Sequence, residues 1–104
     1  MNSADELLAF LKPRVNSSTT AFDIAELMQS LASDSVWAFL GGSGARQQTF
    51  RLPEDLRAVF QFDGSDRLVA YGAYRSSRPW RKEASADPIG PDEVSLIFLQ
   101  PGSA

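Results

Sequence analysis

The stretch that most narrows the fold runs from Leu56 to Tyr74, LRAVFQFDGSDRLVAYGAY, because apolar residues recur there with a period of two on both sides of a turn. Leu56, Ala58, Phe60 and Phe62 share one face of a pleated strand, with Arg57, Val59 and Gln61 on the other. Asp63-Gly64-Ser65-Asp66 supplies the turn: glycine tolerates positive φ, and the Asp and Ser side chains bond to nearby backbone groups. Arg67 to Tyr74 then returns antiparallel, with Leu68, Ala70, Gly72 and Tyr74 on one face and Val69, Tyr71 and Ala73 on the other. The small residues Ala70, Gly72 and Ala73 leave room for a bulky element across this strand, and a packed helix is the commonest occupant.

Upstream, Asp5 to Lys12 has helical spacing at Leu7, Leu8 and Leu11, an N-cap in Ser3 and a stop at Pro13. A second helix is expected over residues 20–32, with Ile24, Leu27, Met28 and Leu31 on one face. Ser33-Asp34-Ser35 offers a fresh cap, so Val36 to Leu40 reads as one or two further helical turns ended by Gly41-Gly42. The Gly41 to Gly44 loop lacks the spacing and the following Lys-Ser/Thr pair of a phosphate-cradling loop, and a helix exit is the better reading. Gln47 to Leu52 reads as a strand ended by Pro53. Glu93 to Gln100, apolar on both faces, reads as a strand paired inside the sheet. The expected class is therefore α+β, with two or three N-terminal helices packed on one face of an antiparallel sheet of about four strands, in a single domain spanning the 104 residues.

The sequence contains no cysteine and no histidine. That removes disulfides, thiolate metal sites, the commonest general base and the commonest transition-metal ligand. The remaining acid–base candidates include Asp63 with Asp66 and Glu54 with Asp55, both in predicted turns where carboxylates serve solubility and turn geometry. No catalytic residue, metal site or cofactor is expected. No apolar run approaches the roughly 20 residues needed to cross a bilayer. The start MNSADELLAF lacks a leader's charged and apolar regions, so a cytoplasmic location is expected, or a periplasmic one if a leader was removed.

Charge is unevenly spread. Arg67, Arg75, Arg78, Arg81 and Lys82 give residues 67–82 a local charge of +5 with no acid among them, while the whole chain carries −3. An acidic body with one basic protrusion repels nucleic acid but suits a protein partner with an acidic surface. Tyr71, Tyr74, Arg75, Arg78, Trp80, Arg81 and Lys82 are the candidate contact residues, since Trp, Tyr and Arg combine large buried area with directional bonding. Trp80 is the expected anchor, with Arg78 and Arg81 as charged partners. The alternative for the same residues is that Trp80 packs back onto the sheet while the arginines are solvated or paired with acids of the same loop. That loop, 75–92, contains Pro79, Pro88 and Pro91 and is long for a compact domain.

The capped segment Ser33 to Gly41 followed by the Phe60-Gln61-Phe62-Asp63-Gly64 hairpin resembles the SmpA/OmlA (BamE-like) domains over about residues 20–75. In those domains a polar-capped turn ending in Leu-Gly leads into a three-stranded antiparallel sheet. This chain departs from the pattern with Gly42 where a proline usually follows and with no lipobox cysteine. The resemblance implies an envelope-assembly role or, since domains of this shape include enzyme inhibitors, protein binding. The leading expectation is a non-enzymatic inhibitor or immunity-type module that occludes its partner through residues 75–82. A BamE-like envelope-assembly domain is the second reading. A small ligand carrier or enzyme, which would need a deep pocket lined by Tyr71 or Tyr74 with a perturbed carboxylate, is the third.

Overall fold

The alternating stretch forms the hairpin its pattern implies, and the other strands are laid down on either side of it. The computed structural model describes residues 2–80 and 94–100. In chain order, α1 (Ala4–Leu11) and α2 (Ala21–Met28) precede β1 (Asp34–Phe39), β2 (Arg46–Arg51), β3 (Leu56–Phe62), β4 (Leu68–Arg75) and β5 (Ile97–Phe98). The strands make one sheet in sequence order, with every neighbouring pair antiparallel. It has five strands, not about four. No helix among the described residues is long and apolar enough to cross a membrane.

Both helices start as the sequence dictates. The Ser3 side chain accepts from the Glu6 amide, and Thr20 and Asp23 form a reciprocal capping box at the head of α2. The Asp23 carboxylate is held below its usual range chiefly because it accepts the Thr20 backbone N–H. Leu7 and Leu11 of α1 and Ile24 and Met28 of α2 are fully buried against Phe50, Ala58, Phe60, Phe62, Tyr71 and Ala73. The ladder registers put these sheet residues on one face, so both helices cover a single side. Each such large side chain contributes about 1.5–3 kcal/mol through area removed from water. A register shift at Gln61/Phe62 turns Leu68 onto this helix side, whereas strict alternation placed it with Ala70 and Gly72.

Two segments depart from expectation. Residues 34–39 are strand, not helical turns, and pair with β2 from Asp34↔Arg51 to Phe39↔Arg46. Val36, Trp37 and Phe39 are β-branched or aromatic, and a run this short cannot repay helix nucleation alone. Gly41 to Gly44 is accordingly the turn of a β-hairpin. It touches the next hairpin, since a Cβ on Gly64 would lie 2.8 Å from the Ser43 carbonyl oxygen.

The C-terminal strand is shorter than expected and lies at an edge. β5 pairs only Ala70↔Phe98 and Tyr71↔Ile97, and Phe98 is 69% exposed. Residues just before it cross the sheet's second face instead. A Cβ on Gly72 would come within 3.1 Å of Leu96 Cδ2 and 3.2 Å of the Ser95 carbonyl oxygen. The bulky element over Gly72 is thus an extended chain segment, whereas Ala73, on the other face, lies under α1 as expected.

Candidate functional site

Opposite the helices, the sheet face carries Asp34, Val36 and Ala38 from β1, Gln47, Thr49 and Arg51 from β2, and Arg57, Val59 and Gln61 from β3. Ala70, Gly72 and Tyr74 of β4 complete it. Gln61 Nε2 donates to Gln47 Oε1 at 3.0 Å, which satisfies the polar centre of this face. At the end nearest the β2–β3 turn, register places Arg51, Arg57 and Tyr74 side by side across three strands.

Arg57 is the unusual member of that row. It stands on the middle strand and is only 8% exposed. One guanidinium nitrogen donates to the Arg78 carbonyl at 2.6 Å, while Nε is buried with no acceptor among the described residues. Trp80 lies over it, with the Arg57 guanidinium carbon 5.3 Å and that of Arg51 5.6 Å from the ring centroid. This is cation–π distance, and the attraction strengthens where water is excluded. The Trp80 indole Nε1 is likewise buried without an acceptor among the described residues. Arg51 is neutralised by an ion pair with Asp34, whereas no described carboxylate pairs with Arg57. A buried cation and the indole that lies over it thus each carry an N–H donor with no acceptor among the described residues. Groups of that kind are costly in isolation and are satisfied by an anionic oxygen.

The residues singled out from sequence fall in several places. Tyr71 is 2% exposed and part of the helix-side core, where burial pushes its hydroxyl pKa up. It is therefore not available as a contact residue. Tyr74 is half-buried beside Arg57 on the second face. Arg75 is exposed, but its guanidinium is engaged with the backbone carbonyls of Glu54 and Asn2. Those bonds clamp a turn in which Glu54 and Asp55 both hold φ of 62°. Arg78 is exposed, and Trp80 is packed back on the sheet as the alternative reading had it. Arg81 and Lys82, and most of the loop 75–92, lie outside the described residues.

Arg51 and Arg57 were not anticipated. The signal for Arg57 was its place in LRAVF, where a charged residue on a central strand shares its face with Val59. The turn carboxylates serve the roles expected of them. Asp63 Oδ1 accepts from the Ser65 and Arg67 amides, and Asp66 pairs with Arg46. A shallow groove lined by Arg14, Thr19, Asp23, Glu26 and Leu27 contains neither Tyr71 nor Tyr74. Compared with protein-family models, curated proteins and solved structures, the chain finds no match.

Proposed function

We propose that the protein is a non-enzymatic protein-binding module of the inhibitor or immunity type, and that it meets an acidic partner through the basic aromatic end of the sheet's second face. One observation carries this reading: the Arg57 guanidinium is held under Trp80, both carry an N–H donor with no acceptor among the described residues, and no described carboxylate pairs with Arg57. A fold maintained for stability alone gains from replacing such a cation with an apolar side chain. A fold that must receive a carboxylate gains from keeping it. Trp80 and Arg57 then act together: the ring excludes water from the charge, and the exposed Arg78 beside them extends the positive surface. Partner carboxylates accept from this basic end, and the partner's own site is covered by the bulk of the domain.

The test is affinity capture from the native cell extract with wild type and with the Trp80→Phe/Arg78→Ala double variant, each checked for folding by circular dichroism. Trp80→Phe keeps an aromatic ring over Arg57 and removes the indole N–H. The reading predicts one protein retained by wild type, released by raised salt and lost by the folded variant. Equal retention by both, or retention of nothing, overturns it.

A further inference from the structure

The free edge of β1 carries an inference independent of the basic end. Strand order gives β1 a neighbour on one side only. Which of its backbone groups point outward follows from two hydrogen bonds. The Leu52 amide donates to the Leu56 carbonyl at 2.8 Å, which turns the even-numbered residues of β2 toward β3 and the odd-numbered ones toward β1. The Leu40 amide donates to the Ala45 carbonyl at 3.0 Å, and the same alternation carries into β1. The N–H and C=O groups of Ser35, Trp37 and Phe39 therefore point away from the sheet, with no backbone partner among the described residues.

Natural sheets blunt such edges with lysine, proline, a bulge or sheer shortness. β1 uses none of these. Ser35 to Leu40 contains no charge and no proline, the pairing with β2 runs six residues without a register shift, and Phe39 is 75% exposed. The opposite edge is blunted, because β5 is only two residues long.

We propose that two copies of the chain pair antiparallel through β1 about a two-fold axis at Trp37. A second copy is the fitting occupant because the edge is complementary to itself. On that axis Trp37 meets Trp37, Ser35 meets Phe39 and Phe39 meets Ser35. All three pairs are of the bonded kind, giving about six N–H···O=C bonds across the seam. Ser35 is small enough to leave space for the opposing Phe39 ring. The charge nearest the axis is Arg46, which stacks over Trp37 with its guanidinium carbon 4.3 Å from the ring centroid and is neutralised by Asp66, while Asp34 lies on the other face and is paired with Arg51. With one open edge and one blunt edge, association closes at the dimer and does not run on into a filament.

The test is sedimentation of the full chain combined with amide hydrogen exchange. Wild type is expected at twice the 11.4 kDa chain mass, with slow exchange at Ser35 and Trp37 as well as at Val36 and Ala38. Phe39→Pro removes one outward N–H at a position where an edge strand tolerates proline. It is expected to sediment as a monomer with an unchanged circular dichroism spectrum and fast exchange at Ser35 and Trp37 only. Phe39→Glu leaves every backbone donor in place and is expected to weaken the dimer about tenfold by replacing the two Phe39 rings that face Ser35 across the seam with charged side chains. A wild type that stays monomeric at all concentrations overturns the proposal, as does a dimer that neither variant weakens. So does a monomer whose Ser35 and Trp37 amides slow only when an unrelated extended peptide is added.

Discussion

On the helix side of the sheet, Phe50, Phe60 and Phe62 lie under Leu7, Leu11, Ile24 and Met28. On the other side the same strands present Gln47, Thr49, Arg51, Arg57 and Gln61 to segments that carry Trp80 and Leu96. The first face is closed mainly by apolar area, with buried Gln48 donating to Ser35 at its β1 side, and its Phe50 and Phe60 rings meet edge to face with centroids 5.6 Å apart. The second is closed by stacking, hydrogen bonds and a buried cation, Arg57, with no carboxylate partner among the described residues. Burial on the first face therefore measures stability. On the second it also holds unspent donors, which is where a binding role is to be sought.

The contrast can be broken most severely at Phe60, which is fully buried at the centre of the helix side. Phe60→Ala should lower unfolding free energy by about 3–5 kcal/mol, read from denaturant midpoints. Gly72→Val should cost about 1–3 kcal/mol, because its side chain meets Leu96 and the Ser95 carbonyl and must displace the covering segment. If Gly72→Val is neutral, the second face is not a packed layer at all. Thr20→Ala, which opens the capping box of α2, should cost about 1 kcal/mol. Asp23→Ala should show a deficit that fades in acid: the Asp23 carboxyl has a lowered folded pKa, chiefly from the Thr20 backbone N–H, so its contribution is present above the unfolded value and lost as pH falls through the folded one. Smallest at neutral pH is Tyr71→Phe, whose effect appears only in alkali. The raised Tyr71 pKa keeps its contribution whole below the ordinary tyrosine value, and stability declines as pH climbs through the raised one. An alkaline titration of stability should be flatter in the variant.

How much of this was legible depended on how local the cause was. The β3–β4 hairpin and the helix-side core follow from period-2 and period-3.6 patterns within short windows, and these matched the structure except that Leu68 changes face and α2 ends at Met28, short of the expected 32, with Leu27 and Leu31 only partly buried. β1 was hidden because Ser33-Asp34-Ser35 has the chemistry of a helix cap, and only pairing with β2, formed later in the chain, decides between helix and strand there. In β5 the apolar run was visible, but not that Leu96 would turn to the second face and leave Ile97 and Phe98 at an edge. The candidate site was half legible. Trp80 and the arginines following β4 stood out by composition, but an arginine alternating with valine on a strand reads as solvent-facing. What buries Arg57 is a segment 21 or more residues further along the chain.

The most direct test of the central claim is the denaturant stability of Arg57→Met. If this guanidinium is kept for a partner, Met fills the space under Trp80 without a buried charge. The variant should then be as stable as wild type or more so, while losing the protein that wild type captures. A variant destabilised by more than about 2 kcal/mol that still retains that protein would make Arg57 a structural strut and remove the second face from function.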